Sequence, residues 1–188
     1  MTTNMTNKTT DFIDGVDHIN TCGRVNTALG KLLSHSERIK FIHPYFGPFE
    51  SMEGFWYYMR SGGANGRGDD KLRYLSGRKA KDYGQMKPVI AYDYFQEDIL
   101  AANYQKIVQN AELEKLFIDS TLPFDHYYLF GPNSVLIRPR GSDWLCAGFE
   151  EIRKAMQNGL IPDCWVNASN RYVKNIVDNP TTSLNNNS

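Results

Sequence analysis

The amino-acid sequence predicts one compact domain built mainly of helices with a few short strands. Its 188 residues lie at the upper end of the range for a single domain. Apolar residues make up 41% of the chain and aromatic residues 13%, which is enough to build a hydrophobic core. Residues 1–15 and 179–188 are largely polar and rich in Asn and Thr, so we expect disordered tails on a domain of residues 16–178.

The first clear helix is predicted to begin after Ser51, which is a good N-cap. Its apolar residues recur at helical spacing, and they are Met52, Phe55, Trp56 and Met59. This periodicity favours a helix with one face in the core.

Three segments favour short elements around that helix. Residues 26–33 predict a short helix or a turn. Residues 41–49 contain two Pro and one Gly, which exclude a helix interior and favour a short strand followed by a turn. Apolar runs at residues 127–130 and 135–138 flank a Gly-Pro-Asn-Ser segment, which suggests a hairpin.

Capping signals mark the helices of the second half. Ser76 can begin a short helix that ends at Gly84. Asp93 and Gln96 fit a capping box, and from there the longest helix is predicted to run to about Phe117.

The last strong helix is predicted to start at Ser142 or Asp143 and to stop at Gly159. Beyond it, Trp165 and Tyr172 are expected to pack on top of the core.

Charge and composition exclude some classes of function. The chain has 21 Lys and Arg against 21 Asp and Glu, which argues against a surface devoted to nucleic acid or membrane, although a local basic site remains open. It has no apolar run long enough to cross a bilayer and no signal-peptide pattern at its start. Three Cys without a CxxC motif suit a reducing compartment, so we expect a cytoplasmic protein with no membrane partner.

Residues 60–87 form a local basic stretch. They include eight basic and three acidic residues, a net charge of +5 in a chain of zero net charge. Two short helices begin in the same stretch, and helix N-termini favour anions. A phosphate-bearing ligand would suit this stretch, and a solvated basic face is the alternative. The glycines of residues 62–68 follow a helix and precede no Lys-Ser or Lys-Thr, so they are not a phosphate loop of the common kinds.

Glu53 is the strongest single candidate for a catalytic residue. Residues 49–58 place it among five aromatic side chains, and on a helix it lies beside Trp56 and Tyr57. A carboxyl group partly buried against rings has a raised pKa and can act as a general acid or base. The alternative is an ordinary first-turn Glu stabilised by the helix dipole. No His or Cys spacing suggests a metal site, and no cofactor is predicted.

Several of these segments occur in the order and spacing of a known family. They are Leu33-Ser-His35, Pro48-Phe49, Ser51-Met-Glu-Gly-Phe-Trp56, residues 72–81 with Gly84, residues 110–117, Trp144-Leu and Ile152-Arg153. Over about residues 19–158 the chain resembles the NADAR family, and most closely a group of small proteins of tailed bacteriophages. The ordered set of segments carries this resemblance, since no single motif is diagnostic.

The resemblance implies a predominantly helical α+β fold of NADAR type that cleaves N-glycosidic bonds at ribose. Known members remove ADP-ribose from guanine bases in nucleic acid or break down phosphorylated riboflavin intermediates. The implied ligand is therefore ADP-ribose-like or a phosphorylated ribose, with ADP-ribosylated nucleic acid as a further partner. Glu53 matches the active-site Glu of the family, and His35 stands where many members have Asn. The ligand-binding residues predicted on this basis, with nearby aromatic residues, are His35, Phe49, Trp56, Tyr57, Arg60, Arg78 and Trp144.

One departure from the family concerns the nucleophile. The family has a Lys two turns after the Glu that attacks ribose C1, and here that position is Arg60, whose guanidinium cannot lose its proton. We therefore expect Arg60 to bind phosphate or ribose. The nucleophile would be water or another amine, with Lys79 and Lys81 as the candidates.

Two other functions fit the same residues. A binding protein could keep the pocket without the chemistry and sequester a nucleotide, with an aromatic stretch such as residues 45–58 stacking on its ring. Alternatively, the fold could serve as a scaffold that inhibits a host defence protein. Substitution of Glu53 distinguishes an enzyme from a binding protein, because only turnover should depend on it.

Overall fold

The computed structural model describes residues 13–22, 25–130, 135–139 and 141–178. Its helices are α1 (Ala28–Leu33), α2 (Met52–Arg60), α3 (Gly77–Gln85), α4 (Phe95–Val108), α5 (Ala111–Asp119), α6 (Asp143–Gln157) and α7 (Asp163–Asp178), with 3-10 turns at Gly63–Asn65 and Asp70–Tyr74. Its strands are β1 (Ile19–Asn20), β2 (Phe41–His43), β3 (Gly47–Phe49), β4 (Phe124–Asp125), β5 (Tyr128–Phe130) and β6 (Val135–Ile137).

The architecture is α+β and mainly helical, as predicted from the sequence. The strands described pair two by two, with β1 parallel to β4 and with β2–β3 and β5–β6 antiparallel. The predicted strand-and-turn segment at residues 41–49 is the β2–β3 hairpin, and the predicted later hairpin is β5–β6. The turn of the latter, residues 131–134, lies outside the described residues, as do residues 1–12 and 179–188 of the predicted tails. No helix of the described part is long and apolar enough to span a bilayer.

The domain includes residues just inside the predicted first tail. Asp14 is buried. Its carboxylate accepts hydrogen bonds from the backbone N–H of Asn20 at 2.8 Å and of Asn26 at 2.6 Å. These bonds tie the start of the described chain to β1 and to the segment before α1.

Helix α2 begins where its N-cap predicts and lies in the core. The Ser51 hydroxyl accepts from the backbone N–H of Gly54 at 3.1 Å and donates to the Leu75 carbonyl at 3.0 Å. Met52, Phe55 and Met59 are each fully buried, which confirms the predicted apolar face. The hydroxyl of Ser51 therefore caps the helix and also joins it to the turn before α3.

Glycines allow two close approaches to α2. A Cβ on Gly54 would lie 2.4 Å from the Leu72 carbonyl oxygen, so only Gly permits the 3-10 turn to pack so closely. A Cβ on Gly84 would lie 2.1 Å from Cγ of Tyr57, so α3 packs directly on that ring. The second contact brings α3 to the same side of α2 as Tyr57.

The prediction of one helix from Asp93 to about Phe117 is wrong in its N-cap and in its continuity. Its start has Tyr94 as N-cap, and no side chain caps it. The chain then leaves helical geometry at Asn110, which has φ −126° and ψ 100°. The Asn110 side chain accepts from the N–H of Leu113 at 3.2 Å and so caps a separate helix, α5. Asn110 divides the predicted helix into α4 and α5 because its side chain can cap a new helix. The apolar periodicity of the segment did not indicate this break.

Two main apolar clusters form the core, and Trp144 packs against both. The first joins α1, α5, α6 and β4 around Leu33, Phe117 and Phe149. The second surrounds α2 and the β2–β3 hairpin. Helix α7 docks on α4 through a third, smaller cluster that contains Tyr172 with Trp165 against it, which confirms that this segment packs on the core. Trp144, which packs against both clusters, also lines the cleft described below.

Candidate active-site cleft

A cleft of about 630 Å³ lies beside the N-terminal half of α2. Its walls come from α2, residues 21–22, residues 34–36, the start of α3 and residues 126–129. Pro139, residues 141–142 and residues 144–145 complete the lining. Seven of the residues predicted for the site line it, namely His35, Glu53, Trp56, Tyr57, Arg78, Lys81 and Trp144. Glu53, Trp56 and Tyr57 share one helical face, as their spacing of three and four residues requires.

Three predicted site residues do not line this cleft. Phe49 is 2% exposed and packs in the core, with its ring 5.0 Å from that of Phe55. Arg60 lies near the end of α2, where its guanidinium is 5.5 Å from the centroid of the Tyr57 ring. Lys79 is exposed and follows Arg78, so it projects about 100° further round α3. Phe49 was wrongly predicted to line the site because its position in the sequence does not show that it is buried. Lys79 was wrongly predicted because its position does not show which way it projects from α3.

Glu53 is held at the N-terminal turn of α2. Its backbone N–H donates to the carbonyl of His35 at 2.8 Å, which joins the helix to the loop after α1. Burial raises the pKa of the Glu53 carboxyl above its ordinary value, and the charge of Lys81 opposes this rise. A partly buried carboxyl that retains its proton more readily than usual, facing a cleft, is suited to donate a proton.

Some cations of the predicted basic stretch serve the fold and do not line the cleft. Arg73 stacks on Phe49 and Tyr58, donates to the Tyr58 hydroxyl at 2.9 Å and pairs with Asp70. Lys87 pairs with Asp69. These cations are therefore already engaged within the protein.

The cations of the basic stretch that line the cleft are Arg78 and Lys81, one turn apart on α3. The Arg78 side chain is 85% exposed and pairs with Asp82 at 2.6 Å. Lys81 is exposed, and its charge acts on Glu53. A phosphate group in the cleft would meet these two cations.

Aromatic rings form an apolar wall beside Glu53. The rings of Trp56 and Trp144 are nearly parallel, with an interplanar angle of 16° and centroids 6.0 Å apart. The ring of Phe95 packs edge-on against that of Trp56 with centroids 4.8 Å apart, and the ring of His35 lies 5.7 Å from that of Trp56. Supported rings of this kind present flat apolar surfaces suited to a planar ligand group.

Another part of the cleft wall contains residues that the sequence did not single out. Parallel pairing of β1 with β4 brings Thr21 beside His126, and the Thr21 hydroxyl lies 3.0 Å from Nδ1 of that ring. Burial lowers the pKa of His126. Next to them, partial burial, Cys22 and the charge of Glu53 raise the pKa of the Tyr128 phenol to about 12. Residues about 100 positions apart form this wall, so no local sequence signal marks it.

A lysine is buried directly behind the cleft. Lys106 on α4 is fully buried, and its Nζ donates to the carbonyls of Leu33 and Ser34, each at 3.2 Å. Burial lowers the pKa of Lys106 to about 7. The ammonium therefore caps the last carbonyls of α1 and supports the loop that lines the cleft.

In the part of the chain that the structure covers, no group of three or more His, Cys, Asp and Glu side chains could hold a metal ion. No family model matches the chain, and neither does any curated protein or solved structure.

Proposed function

We propose that the protein is an N-glycosidase-like enzyme that acts on an ADP-ribosyl or ribose-phosphate N-glycoside, with ADP-ribose on a modified nucleobase as one such substrate. One observation carries this proposal. A carboxyl group with a raised pKa, two cations and a wall of aromatic rings all line the same cleft. The carboxyl group is that of Glu53, the cations are Arg78 and Lys81, and the rings are those of Trp56 and Trp144. The resemblance of the sequence to the NADAR family supports the same chemistry.

In the proposed reaction, protonated Glu53 gives its proton to the leaving nitrogen of the base as the bond from that nitrogen to C1 breaks. The bonding electrons leave with the base, and positive charge develops on C1 and the ring oxygen of the ribose. A water molecule adds to C1, and its proton returns to the Glu53 carboxylate. Arg78 and Lys81 bind the phosphates, and the aromatic wall takes a planar ring of the ligand.

Two variants of neighbouring carboxylates test the role of Glu53. Glu53→Gln should lower turnover of ADP-ribosylated guanosine by about 100-fold or more, because the general acid is lost, while ADP-ribose still binds. Glu50→Gln is the matched control, since Glu50 pairs with Arg38 and Lys40 away from the cleft. Mass spectrometry measures hydrolysis and calorimetry measures binding of ADP-ribose and NAD. Equal turnover in Glu53→Gln and the parent would contradict the assignment.

A second pair of variants tests the phosphate contact. Lys81 lines the cleft and Lys79 does not, although both are exposed lysines of α3. Lys81→Ala should weaken ADP-ribose binding roughly tenfold, whereas Lys79→Ala should leave it unchanged. Borohydride treatment during turnover distinguishes the nucleophiles. A covalent adduct on Lys81 would show that the amine of Lys81, and not water, attacks C1.

The alternative is a nucleotide-binding protein without turnover, which would counter a host defence protein by sequestering its ligand. The resemblance to the NADAR family supports it, because Arg60 holds the sequence position of the reactive Lys and a guanidinium cannot act as that nucleophile. Binding of ADP-ribose without hydrolysis by the parent protein would select this alternative. Absence of both binding and hydrolysis would exclude the two functions together.

A further inference from the structure

His35 reaches the cleft with only one of its ring nitrogens. Nε2 lies 3.2 Å from the side-chain nitrogen of Asn103, which is fully buried on α4. In the described part of the chain Nδ1 makes no hydrogen bond, and it is not buried. Since His35 lines the cleft, Nδ1 is the ring nitrogen accessible from it.

The orientation of Asn103 determines where the proton of His35 lies. The Asn103 amide nitrogen also lies 2.9 Å from the carbonyl oxygen of Ile99, to which it donates. An amide nitrogen has two hydrogens, and the two contacts use both. Rotating the amide by 180° would set its oxygen against the Ile99 carbonyl, where two acceptors repel. Nε2 of His35 therefore accepts a hydrogen bond and carries no proton.

The surroundings oppose a positive charge on the ring. The Lys106 ammonium lies behind it on α4, and His126 lies between β4 and β5, while Glu53 faces the cleft from α2. Burial, with Lys106 and His126 acting in the same direction, lowers the pKa of His35 to about 3. The imidazole is then neutral throughout the physiological range.

We infer that Asn103 is a positioning residue that holds His35 as a neutral imidazole with its proton on Nδ1, where it donates a hydrogen bond to a sugar oxygen of the ligand. A neutral donor offers no charge to a phosphate, so His35 is suited to a sugar oxygen. The cations that would bind the phosphates, Arg78 and Lys81, lie on a different element, α3. The carbonyl of His35 accepts from the N–H of Glu53 at 2.8 Å, so the donor lies beside the proposed acid. The ligand part of this inference rests on the proposed function, and the tautomer does not.

The tautomer is measured on the parent protein without any ligand. Nitrogen-15 spectra of labelled histidines, assigned with His35→Asn, should show a protonated Nδ1 and an unprotonated Nε2 for His35, unchanged between pH 8 and pH 5. A proton on Nε2, or an imidazolium within that range, would overturn the inference. In Asn103→Leu the preference for Nδ1–H should weaken, and its persistence at full strength would show that Asn103 does not control it.

Binding measurements then test the donor. His35→Asn retains an amide atom the same number of bonds from the backbone as Nδ1, so ADP-ribose should bind within about threefold of the parent. His35→Leu has no donor, and its affinity for ADP-ribose should fall about tenfold. Pyrophosphate has no sugar, so its affinity should be unchanged in His35→Leu and reduced in Lys81→Ala. Equal loss of ADP-ribose and pyrophosphate binding in His35→Leu would contradict a sugar contact. If the parent binds no ADP-ribose, the proposed function fails while the spectra still decide the tautomer.

Discussion

Lowering the pH from 7 to 5 should destabilise the folded protein through His43, whose ring is completely buried. Its Nδ1 accepts from the backbone N–H of Tyr45 at 3.3 Å, and its ring stacks on Phe55 with centroids 5.3 Å apart. Nε2 has no hydrogen-bond partner among the described residues. Burial, assisted by the nearby charge of Arg73, lowers the pKa of His43 to about 3.

The sign and size of the effect follow from the two pKa values. The unfolded chain binds a proton at this histidine below about pH 6.5, and the folded protein does not until about pH 3. Unfolding therefore takes up a proton between these values, so stability is greatest above the unfolded pKa and declines as the pH falls. Between pH 7 and pH 5 the free energy of unfolding should decrease by about 2 kcal/mol from His43 alone.

Urea unfolding followed by tryptophan fluorescence at pH 7 and pH 5 measures this difference. His43→Leu should reduce the loss between the two pH values by about 2 kcal/mol, whatever its own stability at pH 7. Phe46→Leu is the control, because its ring lies 4.8 Å from that of His43 and does not titrate. It should destabilise equally at both pH values. An unchanged pH dependence in His43→Leu would refute the reasoning, and His35 would then have to account for the acid sensitivity.

Three further predictions concern stability. Raising the pH from 7 to 9 should increase the free energy of unfolding by about 2 kcal/mol. The reason is that Lys106, with its pKa of about 7, deprotonates in the folded state while the amine of the unfolded chain stays charged. Lys106→Met should abolish this rise in urea titrations. Gly54→Ala should destabilise by about 2–3 kcal/mol in thermal unfolding, since its Cβ would meet the Leu72 carbonyl at 2.4 Å, and a higher Tm would contradict the close packing. Asn110→Ala should cost about 1 kcal/mol through loss of the cap on Leu113, whereas a gain in stability would indicate one continuous helix.

Half of the cleft could be read from local sequence. Glu53, Trp56 and Tyr57 lie within five residues of one another on a helix whose cap and apolar spacing identify it, so their shared face follows from helical geometry. Arg78 and Lys81 come one turn apart on α3 for the same reason. Short-range rules were sufficient here because capping and periodicity act over a few residues.

The other half depends on contacts between distant segments. Thr21 and His126 meet only because β1 pairs with β4, and two paired residues per strand give no recognisable pattern in the sequence. The break at Asn110 was missed because its neighbours continue a helical pattern, and its capping bond competes with that pattern by a small free energy.

The sequence by itself determined the start of α2, the acid on its first turn and the aromatic face around that acid, because those properties depend on neighbours along the chain. Tertiary structure decided which cations face the acid, since packing of α3 on Tyr57 at Gly84 turns Lys81 toward Glu53 and leaves Lys79 outside the cleft. It also decided that Arg73 and Phe49 belong to the fold. Which side chains share a cleft depends on how helices and strands far apart in sequence pack, and that is set by the shape and burial of the whole core.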